Sequence, residues 1–94
     1  MTAKYETVIV FSVANGEEAV APILEKFKAL IEANGTLGEI DEWGKRRLAY
    51  PINDEPEGYY VLVNFESEPE FPAELDRIYK ITDGVLRTLI IKKN

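Results

Sequence analysis

Apolar positions along this chain repeat with two different periods, and the switches between them mark out six elements. From Lys4 to Val13 the run KYETVIVFSV is rich in β-branched and aromatic residues and contains neither Gly nor Pro, which predicts a strand. Asn15-Gly16-Glu17-Glu18 then offers a helix start: Asn15 can cap, Glu18 stands in capping-box position, and the acidic first turn suits the helix dipole. Val20, Leu24, Phe27 and Ile31 follow at helical spacing, with Ile23 and Leu30 widening the stripe. Pro22 should kink this helix or push its start later, and Asn34-Gly35 supplies a stop, so the helix is expected to run to about Ala33.

A long strand is expected from Leu37 to Ile52, with Gly44 marking a bulge or bend. The Pro/Asp/Glu-rich stretch from Asn53 to Glu57 reads as a loop, and Gly58 opens a third strand, GYYVLVNFE. Pro69 and Pro72 frame the entry to a second helix whose inner stripe is Leu75, Ile78 and Tyr79. Asp83-Gly84 turns the chain into a last strand, VLRTLIIKK. The order βαββαβ in one short chain predicts an α+β, ferredoxin-like domain spanning residues 1–94: a four-stranded antiparallel sheet with both helices on one face.

Helices can cover only one face of such a sheet. If Ile9, Phe11, Val61 and Val63 point towards them, then Val8, Val10, Tyr60 and Leu62 form an outer row that is also apolar, a candidate interface for a partner protein. The second strand carries three consecutive cations, Lys45-Arg46-Arg47, directly after Trp43. Alternation sends Lys45 and Arg47 to one face and Arg46 to the other. A curved or edge strand entering a nucleic-acid groove could use both sides, with Arg as a fork donor to phosphate and Trp or Tyr as a stacking surface. The plainer reading is that these cations deter edge-to-edge pairing and are matched by Glu39, Asp41 and Glu42 nearby. Arg87 and Lys92-Lys93 on the last strand, with Lys4 on the first, form a third candidate, a charged rim. The aromatic strand Gly58 to Phe65 is not that of an RNA-recognition motif, because Val61 and Glu57 stand where that motif needs an aromatic and a cation.

Composition narrows the chemistry. With no cysteine and no histidine, the chain has no disulfide, thiolate nucleophile, imidazole base or Cys/His metal site. The acidic pairs Glu17/Glu18, Asp54/Glu55 and Glu66/Glu68 lie at a helix start or in loops, without a nucleophile or oxyanion donors, and read as solvated surface. No enzyme activity, metal or cofactor is expected. No stretch is long and apolar enough to span a bilayer. The N-terminus runs into the first strand without the parts of a secretory signal, so the expected location is the cytoplasm. The formal charge of −6, from 17 acidic and 11 basic residues, repels polyphosphate on average. Nucleic-acid binding would therefore need cations concentrated locally, and the same acidity favours a basic protein partner.

The segment Trp43-Gly44-Lys45-Arg46-Arg47-Leu48-Ala49-Tyr50-Pro51-Ile52, followed by Glu57-Gly58-Tyr59-Tyr60, resembles the bacterial ribosomal protein S-six family. Lys4-Tyr5-Glu6-Thr7, Asn34-Gly35 and Asp83-Gly84-Val85-Leu86-Arg87 extend the resemblance over nearly the whole chain. It implies a structural component of the small ribosomal subunit that binds the central domain of its RNA beside ribosomal protein S-eighteen, a small basic protein with which the family forms a heterodimer. By the same resemblance Tyr5, Arg46, Arg47 and Arg87 fall on the RNA side, with Lys45, Lys92 and Lys93 as further RNA-binding candidates. The alternative is a homodimeric ferredoxin-like module that pairs its open sheet with a second copy and binds a small ligand.

Overall fold

In β1 (Ala3–Ser12) the side chains of Tyr5, Thr7, Ile9 and Phe11 are all buried on one side, because residues two apart in a strand share a face. The computed structural model describes residues 2–14, 16–52 and 55–93. After β1 come a 3-10 turn (Glu17–Ala19), α1 (Val20–Asn34), β2 (Gly35–Ile52), β3 (Glu55–Ser67), α2 (Phe71–Lys80) and β4 (Val85–Lys93). The strands form one antiparallel sheet in the order β2-β3-β1-β4, the ferredoxin-like plan read from the sequence.

One sheet face builds the core. Ile9 and Phe11 of β1 and Val61, Val63 and Phe65 of β3 pack with Leu24, Phe27 and Ile31 of α1 and with Phe71, Leu75 and Tyr79 of α2. Phe27 lies at the centre, stacked on Phe11 at 6.2 Å between ring centroids and edge-on to Tyr79 at 4.8 Å. Two buried polar groups sit in this apolar setting and satisfy one another: the Thr7 and Tyr79 hydroxyls are hydrogen-bonded at 3.1 Å.

That pair has a measurable consequence. Burial disfavours the Tyr79 phenolate and pushes the phenol far above the ordinary tyrosine range; the Thr7 bond opposes the shift and the Asp76 charge adds to it. The unfolded chain releases this proton at a pH of about 10, whereas the folded chain holds it, so Tyr79 contributes its full stability below that pH and loses it as the pH rises towards the folded-state value. Denaturant titrations should therefore show stability falling above about pH 10. Tyr79→Phe should flatten that fall while costing about 1 kcal/mol at neutral pH through the lost hydrogen bond. An equally steep alkaline fall in the variant would contradict this.

Several boundaries differ from the sequence reading. Helix entry is made by the 3-10 turn, so α1 proper starts at Val20 and places Pro22 in its first turn, where a missing N–H has no helical acceptor to lose. Asn15, the expected cap, lies outside the described residues. The helix ends at Asn34, whose Nδ2 donates to the Leu30 carbonyl, but Gly35 is extended, with φ −179°, and not a left-handed cap. β2 begins at once. Of the expected loop from Asn53 to Glu57, residues 55–57 are strand, Glu55 pairing with Ile52, whereas Asn53 and Asp54 lie outside the described residues. In α2 the fully buried stripe is Phe71, Leu75 and Tyr79, with Ile78 at its margin.

Candidate RNA and partner interface

The sheet face turned away from the helices is apolar along its middle. Val8 lies between Leu62 of β3 and Leu89 of β4, and Val10 between Tyr60 and Arg87. Residues directly opposite in neighbouring strands project on the same side, so Val8, Val10, Tyr60 and Leu62 share this outer row as the alternation predicted. The register adds Leu89 and Ile91, both exposed, at 54% and 44%. One expectation needs correcting: Val10 is not open to a partner, being only 3% exposed. Gly58 lacks a side chain beside it, and Leu48 reaches into the same place; a Cβ at Gly58 would overlap Val10 and touch Leu48. The outer row is thus partly sealed by the chain itself.

The cation run occupies β2, an edge strand. Arg46 stands opposite Gly58, which pairs in turn with Ser12 near the end of β1; Arg47 and Glu57 lie beyond that point, where only β2 and β3 continue. The run therefore sits where a two-stranded hairpin projects from the sheet, with Tyr50 exposed further along it. Lys45 and Arg47, opposite Tyr59 and Glu57, turn to the helix side, and Arg46 turns to the outer side.

The expected pairing of these cations with neighbouring acids does not occur. Asp41 accepts the Trp43 indole N–H at 2.9 Å, and Glu42 accepts the Tyr59 hydroxyl at 3.0 Å, a bond that raises the Tyr59 phenol above its ordinary value. Among the described residues Lys45, Arg46 and Arg47 form no ion pair. All three are exposed. Trp43 itself lies on the outer face, stacked on Tyr60 at 6.1 Å.

The other candidates divide between places. Arg87 shares the outer face with Arg46 but lies three strands away, roughly 15 Å at ordinary strand spacing. Lys92 and Lys93 are at the opposite end of β4, roughly 20 Å from Arg87, so the expected common rim does not form. Lys93 pairs with Lys4 across the sheet and is engaged by Asn64 at 2.9 Å and Glu6 at 3.9 Å; Lys92, opposite Tyr5, faces the other way. Tyr5 is the clearest correction. It is 6% exposed, part of the core and stacked on Phe65 at 5.5 Å, because its parity places it with Thr7 and Ile9; its ring is not available to stack on a base. Among the described residues there is no group of three or more acidic side chains placed to hold a metal, and no helix is long and apolar enough to cross a membrane.

Known proteins resemble this chain in sequence and in fold. The family model described as "Ribosomal protein S6" matches residues 4–92. A "Small ribosomal subunit protein bS6" of Clostridium perfringens is 53% identical over 91 residues, 96% of either chain, and its counterpart in Thermoanaerobacter pseudethanolicus is 56% identical over 91 residues, 94% of either chain. A crystal structure of 30S ribosomal protein S6 from Thermotoga maritima superposes with a TM-score of 0.91 at 24% identity, covering 99% of this chain and 89% of that one.

Proposed function

This chain belongs to the ribosomal protein S6 family, and from that premise we propose that it binds small-subunit ribosomal RNA through its projecting β2–β3 hairpin and ribosomal protein S-eighteen through its outer sheet face. As a member of that family it is a structural protein of the small ribosomal subunit, working in the cytoplasm, and not an enzyme. The carrying observation is that Lys45, Arg46 and Arg47 are exposed and form no ion pair among the described residues, while the acids nearest in sequence are held by Trp43 and Tyr59. Guanidinium groups without a carboxylate partner among the described residues, Arg46 donating only to the Lys45 carbonyl at 3.4 Å, stand on both sides of a narrow hairpin and can each meet a phosphate of a folded RNA junction, a contact that reads shape more than base sequence. Arg87 borders the same face and is a further phosphate contact.

The overall charge of −6 opposes this binding, so the chain alone should hold RNA weakly. A basic partner seated on Leu62, Leu89 and Ile91 covers the apolar surface, supplies cations and presents both proteins to the RNA together. Titration of a central-domain RNA fragment with the chain alone, S-eighteen alone and both together tests this. Coupling of about 1–3 kcal/mol, or roughly 5- to 150-fold tighter binding for the pair, is expected. An RNA affinity indifferent to the partner, or a tight homodimer in sedimentation of the pure chain, would count against it.

A further inference from the structure

We propose that Gly44 is the positioning residue of this interface: the bulge it closes determines which side chains of β2 share the outer face with Trp43. This rests on the functional reading above and extends it to the residue that arranges the site.

In an unbroken strand Asp41, Trp43, Lys45 and Arg47 would share one face. β2 departs from that alternation. Glu42 pairs with Val61 and Gly44 with Tyr60, so Trp43 and Gly44 together answer a single residue of β3, as in a β-bulge. Trp43 keeps the outer side of Asp41, to which its indole N–H is bonded, and lies on the Tyr60 ring with an interplanar angle of 16°. Beyond the bulge the phase is reversed. Arg46, opposite Gly58, now shares the Trp43 face, whereas Lys45 and Arg47 turn to the helix side. Leu48 follows in the same phase as Arg46, which is what brings it to Gly58 and Val10. A straight β2 would exchange Arg46 for Lys45 and Arg47 on the outer face and withdraw Leu48 from Val10.

The requirement for glycine at this point is one of backbone and not of space. Gly44 has φ +84°, a region that side-chain-bearing residues enter at a cost, and a Cβ there would meet nothing within 4 Å. Substitution therefore probes the bulge without a clash. Asparagine tolerates positive φ, alanine less well and a β-branched residue least.

The test is the series Gly44→Asn, Gly44→Ala and Gly44→Val. Trp43 is the only tryptophan, so near-ultraviolet circular dichroism and acrylamide quenching of its emission report the Trp43–Tyr60 stack in the protein alone, and affinity for purified S-eighteen reports the interface. Gly44→Asn is expected to keep the Trp43 signals and to bind within about twofold of the parent; Gly44→Val should lose the stacked signature and bind about tenfold more weakly or worse. If Gly44→Val does not fold, Gly44→Ala carries the same comparison at smaller amplitude. Unaltered Trp43 signals in both the Ala and Val variants, or altered signals with unaltered affinity, would overturn the proposal. Should the parent chain fail to bind the partner at all, the functional reading falls, while the tryptophan signals still show whether Gly44 arranges this face.

Discussion

Replacing Leu89 and Ile91 by lysine is expected to leave the chain folded and to weaken the proposed heterodimer with S-eighteen by about 4 kcal/mol, roughly a thousandfold in Kd. Both side chains are on the outer face and about half exposed in the isolated chain, so the fold loses little apolar burial when they are changed. Ile91 lies opposite Glu6, which can accept a new cation across the strands. In the proposed complex the situation reverses. Two apolar anchors are lost from the desolvated centre of the contact, each worth about 2 kcal/mol, and two like charges are set against a cationic partner. Isothermal titration with purified S-eighteen measures the loss, and a thermal melt of the free variant checks the fold. A variant that binds within about threefold of the parent would remove the outer face from the interface.

These two residues also show where sequence reading stops. The strand rows of β1 and β3 were legible because each alternates locally: Ile9, Phe11, Val61 and Val63 turn inward, and Val8, Tyr60 and Leu62 outward, as the period of two requires. Which of Leu89, Ile90 and Ile91 faces out is not a local matter. A continuous apolar run has no polar position to mark its phase, and only the register of β4 against β1, interrupted at Val10/Phe11, fixes it. Alternation puts Val10 on the outer face, where it lies, yet its burial depends on Leu48, 38 positions later in the chain, and on the space left by Gly58. Composition misled at Asn53 to Glu57, where Pro and acidic residues suggested a loop and edge pairing with β2 carried the strand to Glu55.

The candidate site shows the same division. The run Lys45-Arg46-Arg47, its alternation and the bulge at Gly44 can all be read from the residue string, but the bulge reverses the relation between Trp43 and the cations that follow it, and that needs the pairing with β3. Resemblance puts Tyr5 on the RNA side; its parity, visible in the same strand pattern, puts it in the core beside Phe65. The acids near the cation run looked like its natural partners by proximity, whereas Asp41 and Glu42 are taken by an indole and a phenol. Proximity in sequence gives no hydrogen-bond geometry.

RNA binding by a net negative chain requires local cations to overcome its overall field, and the salt dependence of binding measures that directly. With S-eighteen present throughout, the parent chain and Arg46→Ala/Arg47→Ala are titrated with central-domain RNA from low to moderate salt, with Lys93→Ala, already engaged by Asn64 and Glu6, as the control. Two lost phosphate contacts should reduce the slope of log K against log salt by about 1.5–2 and weaken binding by about 3 kcal/mol, roughly a hundredfold, at low salt. The Lys93→Ala slope should match the parent. A folded double variant that keeps the parental slope would contradict the account.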